Sequence, residues 1–256
     1  MKENIKKKFS RFLIEVTDIF LFAGKYFKEV FKRPFEVSEI LKQFYYLGNN
    51  SLPLVSVTGL IIGLTLALQL KPTMAKFGAE SLIPSTLAIA VFREIGPVIT
   101  ALICAGKMGS GIGAELGSMK VTEQIAAMEV SSINPFKYLV VTRITAATLM
   151  VPLLVVYANT LSLAGGFIAT NLTGDMSLRL FWSKVFGSLF FEDIVPSTIK
   201  TFSFGFVIGL IGCYNGYNCS RGTESVGKAA NSSVVMASFM VIFLDLIAVQ
   251  ISSILF

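Results

Sequence analysis

Five apolar stretches, each near the roughly 20 residues that a helix needs to cross a hydrocarbon core, constrain this chain more than any other feature. They cover residues 52–70, 82–106, 138–170, 195–214 and 234–256. Backbone N–H and C=O groups find no water in lipid, so each stretch is expected to satisfy its own hydrogen bonds as a helix. Composition agrees: 54% of the residues are hydrophobic, 15% are charged and the mean hydropathy is +0.71. Soluble domains carry about 25% charged residues. The expected class is an all-α integral membrane protein with about five transmembrane helices. The third stretch is longer than a crossing requires and contains Pro152, which predicts a kink or tilt.

The N-terminal 33 residues read differently. Phe9, Phe12, Leu13, Val16, Ile19, Phe20, Ala23, Phe27, Val30 and Phe31 recur at helical spacing, with Arg11, Glu15, Asp18, Lys25, Lys28 and Glu29 on the other side. Such a basic amphipathic helix is expected to lie in the interface. Its longest uncharged run, residues 19–24, is too short for a signal peptide core, and no small-residue cleavage site follows. Pro34 ends it, and a second amphipathic stretch at 36–46 leads to the first span. Residues 1–50 are thus read as an interfacial region and 51–256 as the transmembrane domain.

Of the 22 Lys and Arg residues, ten precede residue 50, which predicts a cytoplasmic N-terminus facing anionic lipid rather than nucleic acid. Five crossings then put the loops at 107–137 and 215–231 inside, and those at 71–81 and 171–194 outside. The last of these carries Phe181, Trp182, Phe186, Phe190 and Phe191, an aromatic set suited to the outer interface.

Within the apolar spans, Arg93, Glu94 and Asp245 stand out. A charge at bilayer depth costs at least about 2.5–3.5 kcal/mol and persists where it meets a partner or a cavity. Adjacent residues point about 100° apart on a helix, so Arg93 and Glu94 cannot neutralise each other. The expected arrangement pairs Arg93 with Asp245 and turns Glu94 to another neighbour. In the first span, Leu64, Leu66, Leu68 and Leu70 form an apolar wall notched by Gly59 and Gly63, with Gln69 near the outer end; these are lipid-cavity candidates.

The loop after the second span opens with Gly106, Gly109, Gly111, Gly113 and Gly117, spaced to let helices approach closely. Gly106-Lys107 lacks the earlier glycine and the following Ser or Thr of a phosphate-binding loop. The chain has no histidine, which removes His-based triads and His-rich metal sites, and its three cysteines show no paired spacing. No catalytic residue, metal site or cofactor is expected. Residues 122–130 predict a short helix started by Thr122, offering Glu123, Gln124, Ile125, Met128 and Glu129 to a partner.

Taken together these segments resemble the MlaE (YrbE) family of ABC-transporter permeases, over residues 36 to the C-terminus. Arg93-Glu94-Ile95-Gly96-Pro97 is similar to the family's Arg-Glu-Leu-Gly-Pro segment. Ala105-Gly106-Lys107, Ala114-Glu115 and the run from Glu123-Gln124 to Met128-Glu129 resemble the approach to its coupling helix. Asn215-Gly216-Tyr217 and Leu244-Asp245 resemble the loop before the last span and its intramembrane acid, with Asn218 where many relatives carry Asp. The resemblance implies a permease of the bacterial inner membrane that moves phospholipid between membranes. It implies a second permease copy, separate ABC ATPase subunits that use the ATP, and an MCE-domain lipid-binding protein outside. Three other classes stay open on residues alone: an ion-coupled transporter or channel using Glu94 and Asp245, an intramembrane enzyme, and a structural membrane subunit.

Overall fold

The computed structural model describes the backbone of residues 2–173, 176–220 and 222–255, with side chains from Leu13 onward except those of Thr173 and Leu255. Eight helices and no strand occur among the described residues. They are α1 (Lys2–Val30), α2 (Val37–Lys76), α3 (Glu80–Val121), α4 (Gln124–Val130), α5 (Phe136–Leu172), α6 (Leu178–Ser188), α7 (Phe191–Tyr217) and α8 (Thr223–Leu255). Five of these, α2, α3, α5, α7 and α8, are long and apolar enough to cross a membrane. The chain is a multi-pass, all-α membrane protein.

Two helices outrun the apolar stretches that announced them. The amphipathic stretch at 36–46 and the first span form one helix, α2, of 40 residues that continues through Pro53. At 1.5 Å per residue it is about 60 Å long, twice a hydrocarbon core, so no helix end falls near residue 50. What holds it together is tertiary. Gln43, Leu47, Ser51, Val55, Gly59, Gly63 and Ala67 recur every four residues and are all buried, and α2 against α5 is the broadest contact in the molecule. Ser162 Oγ on α5 donates to the Gly59 carbonyl at 2.8 Å. A Cβ on Gly63 would overlap the Ser162 carbonyl. The two glycines expected to notch a lipid wall are instead filled by the backbone of α5, the close approach that small residues permit.

The second overrun is α3, which continues past Gly106 to Val121. Its small-residue run packs as expected. A Cβ on Gly113 would lie 2.6 Å from Ser233 Oγ of α8, and one on Gly216 of α7 would lie 2.8 Å from the Gly113 carbonyl. Two π turns, Val91–Ile95 and Ala105–Gly109, interrupt α3. In a regular helix Pro97 would collide with the Arg93 carbonyl four residues back. The wider turn before it relieves that contact.

Much of the expected aromatic loop at 171–194 is also helical. Ser177 caps α6, its Oγ accepting from the Leu180 N–H at 3.4 Å. Phe181 and Val185 of α6 are buried in a small core with Ala67, Leu87, Val91, Leu163 and Ala169. A larger core at the N-terminal end joins α1, α3, α4, α5 and α7 through Phe22, Ile112, Ile125, Phe136, Ile144 and Ile208. There α1 lies against the bundle. The Phe22 ring meets Phe136 edge-on at 5.0 Å and Tyr214 at 5.6 Å. Tyr26 Oη shares a 3.1 Å hydrogen bond with Thr145 Oγ1, and burial pushes its phenol pKa up. On the other side of α1, Leu13, Phe20, Leu21 and Phe27 are exposed.

Candidate functional site

A polar cluster where α3, α7 and α8 meet is centred on a residue that sequence reasoning passed over. Lys200 of α7 is 6% exposed at its side chain, and its Nζ stands 2.6 Å from Glu94 Oε2 and 2.9 Å from Asp245 Oδ1. One ammonium therefore bridges a carboxylate from α3 and another from α8. Arg93 turns away, its Nη1 3.9 Å from Asp193 Oδ1 at the start of α7. This corrects the expected Arg93–Asp245 pairing. Glu94 is the one that reaches Lys200, while Arg93 lines the same cleft and points to the first turn of α7. Lys200 carried the same signal as Arg93, a lone charge in an apolar span.

The triad is not sealed. Glu94 is 40% exposed at its side chain, and a cleft of about 50 Å³ beside it is lined by Arg93, Glu192, Asp193, Lys200, Ser252 and Ser253. Two cations and four acids thus meet at the junction of α3, α7 and α8. The cluster ties three spans together by charge, with the Glu94 side chain left partly exposed.

A second ion pair, buried on its cationic side, was also missed. Arg143 on α5 is 1% exposed. Its Nη2 donates to Glu115 Oε1 at 2.8 Å, its Nε to Glu115 Oε2 at 3.4 Å, and its Nη1 to the Leu139 carbonyl at 3.0 Å. This two-pronged contact locks the lower part of α3 to α5 with a geometry that only a guanidinium provides.

The residues expected to contact a partner sit on α4 and its entry. Thr122 does not start that helix: its Oγ1 donates back to the Ser118 carbonyl at 2.8 Å and closes α3. Glu123 begins α4 in a left-handed conformation, φ 59°. Ile125 is buried and Met128 is packed against the main core, so neither is free to enter a partner's groove. A seven-residue amphipathic helix places its apolar side on its own protein. Glu123, Gln124, Glu129 and Val130 are exposed. A cleft of about 250 Å³ lies between α4 and the turn after α7, lined by Lys120, Glu123, Ile125, Glu129, Cys219 and Ser220. The two loops separated by some ninety residues of sequence share one surface.

Of the lipid-cavity candidates, Leu64, Leu66 and Leu70 are half-buried against the small core, while Leu68 and Gln69 are exposed.

A family model described as "Permease MlaE" matches residues 40–251, all of α2 to α7 beyond the first three residues of α2 and nearly all of α8. The chain belongs to the MlaE permease family. A probable ABC transporter permease protein of Rickettsia felis is 33% identical over 239 residues, covering 93% of this chain and 92% of its own length. The intermembrane phospholipid transport system permease protein MlaE of Haemophilus influenzae is 33% identical over 213 residues, 83% of this chain and 82% of the relative. A probable ABC transporter permease protein of Synechocystis is 29% identical over 226 residues, with 88% and 86% covered. The matched MlaE region holds the triad, the Arg143–Glu115 pair and α4, and leaves α1 outside it.

Proposed function

We propose that this chain is the membrane-spanning subunit of an ABC transporter of the bacterial inner membrane that moves phospholipid or a related lipid. A separate ATPase would drive it, and an MCE-type lipid-binding protein would stand on the outer side. The observation that carries the reading is α3. It runs from Glu94 in the polar cluster to Val121, where only two residues separate it from α4. That distance is about 40 Å of helix, a lever long enough to join a docking surface to the triad. The basic N-terminus assigns the α1 and α4 end to the cytoplasm, and α1 and α4 share the core at that end.

In this reading an ATPase grips the exposed Glu123, Gln124 and Glu129 and tilts α4. The tilt passes along α3 and displaces Glu94 relative to α7 and α8. The triad has two alternative states because Lys200 holds acids from two different helices. With either acid withdrawn it still pairs with the other. A second copy supplies the rest of the lipid cavity. Only 11% of the most apolar window of α8 is buried within the chain, leaving Val235, Phe239, Ile242 and Leu246 for lipid or for that copy. Leu68 and Gln69 are exposed on α2.

The test is reconstitution of the permease with its co-purified ATPase, reading ATP-dependent lipid transfer. The expected result is transfer with ATP, lost in Glu129→Lys with the permease still folded. Ion-gradient-driven uptake without any ATPase would replace this reading with the ion-coupled one.

A further inference from the structure

The N-terminal part of α2 carries buried polar groups that neither the triad nor α4 uses. Gln43 is 6% exposed and Ser51 fully buried, yet Gln43 Oε1 and Ser51 Oγ have no hydrogen-bond partner. Buried orphans of this kind are uncommon and call for a ligand, an ion or ordered water. Both residues line hollows at the same place. One, of about 560 Å³, includes Gln43; its neighbour, of about 160 Å³, includes Ser51; the two meet at Tyr46 and Glu115. The larger hollow has the size of a small-molecule site.

Its charges come in balanced pairs. Glu39 Oε2 lies 3.7 Å from Lys42 Nζ, and Glu115 Oε1 lies 2.8 Å from Arg143 Nη2. Glu39 also accepts from Gln43 Nε2 at 2.8 Å and from Tyr138 Oη at 3.4 Å. Arg143 is spent on Glu115 and Leu139. The groups with capacity left are the two carboxylates, the exposed ammonium groups of Lys42 and Lys107, and the two orphaned oxygens. A bare anion or a bare cation would meet like charge on half of this lining. A zwitterion meets opposite charge at both ends. The Glu39 and Glu115 carboxylates in the lining accept hydrogen bonds, which a primary ammonium can donate and a quaternary one cannot. Tyr45 and Tyr46 are exposed beside the hollow, amphipathic rings of the kind that sit at headgroup level.

We propose that this hollow binds the headgroup of a zwitterionic phospholipid bearing a primary ammonium, drawn from the leaflet at the N-terminal end of the bundle. The ammonium meets the Glu39 and Glu115 carboxylates, and the phosphate meets Lys42 and, across the edge shared at Tyr46 and Glu115, Lys107 of the smaller hollow. The assignment rests on the permease reading and names the lipid class held at a site separate from the triad.

The full chain, placed in nanodiscs containing equal ethanolamine, choline and glycerol phospholipids, is released and its retained lipids are weighed by native mass spectrometry. Ethanolamine lipid is expected to exceed choline lipid about tenfold, the worth of one charge-assisted hydrogen bond set. Glu39→Gln should erase most of that preference and the surface change Lys42→Ala should lower retention of ethanolamine and choline lipid alike, whereas Glu224→Gln, on an exposed pair far along the chain, should change neither. Equal retention of the three lipids, or an unchanged preference in Glu39→Gln, overturns the proposal. Displacement by soluble phosphoethanolamine at the same concentration overturns the lipid source. ATP-driven transfer is a separate readout: retention without transfer supports the site while removing the permease reading, and transfer without preference removes the site.

Discussion

Lys200 concentrates the physics of this protein in one side chain. Removing one member of a buried charge cluster leaves its partners uncompensated and costs about 3–5 kcal/mol. Lys200→Met strands Glu94 and Asp245 against each other, so its thermal unfolding in detergent should drop steeply. Combining it with Glu94→Gln and Asp245→Asn should recover part of that loss, because three neutral groups need no counter-charge. Strictly additive losses across the series would show that the three do not act as a unit. Arg93 is expected to behave otherwise: with its side chain 55% exposed and its contact to Asp193 at 3.9 Å, Arg93→Gln should cost under about 1 kcal/mol. For Arg143 the relevant change is Arg143→Lys. It keeps the charge but cannot contact both Glu115 oxygens and Leu139 at once, so it should still destabilise clearly in the same melt.

At the scale of elements, the α2–α5 seam and α4 give opposite expectations for small changes. Gly63→Leu drives a side chain into the Ser162 backbone and should separate the two helices, costing about 2 kcal/mol or more. Gly24→Ala in α1, where an added Cβ meets nothing within 4 Å, should instead stabilise by up to about 1 kcal/mol. In α4, Ile125→Ala opens a cavity in the main core and should lower the melting temperature, by the equivalent of about 2–4 kcal/mol. Glu129→Lys should leave the melt unchanged and weaken ATPase capture in a pulldown. A melt insensitive to Ile125→Ala would return that residue to the docking surface. The hydropathy pattern made α3 and α2 legible only where they touch lipid. Their continuations, residues 107–121 and 37–50, are held by protein contacts: Gly113 against Ser233, and Gln43 and Leu47 buried within the bundle.

Over the whole molecule, α1 acts as a clamp lying across the N-terminal core. Deleting residues 1–33 should leave the five spans inserted, as read by accessibility of single cysteines in their connecting loops, while lowering thermal stability through loss of Phe22 and Tyr26 from the core. A lost span would mean that α1 guides insertion as well. Assembly should be read on α8. Single cysteines at Phe239 and Phe243, both exposed, are expected to cross-link two copies in membranes. Cross-linking at Val57 and Ile61 on the outer face of α2, and not on α8, would move the contact between copies to α2.

The amino-acid sequence by itself determined the class, the number of spans, the basic amphipathic lead-in and the family, because these depend on how much apolar surface each segment carries and on short local motifs. Glu94 and Asp245 were legible as charges that need partners. Which partner each has was decided only by tertiary structure. Whether Arg93 or Glu94 reaches Lys200, whether Ile125 points outward or in, and whether Gly63 opens a cavity or closes a seam all depend on the rotation of a helix about its axis. Packing against neighbours distant in the chain sets that rotation, and no local pattern records it.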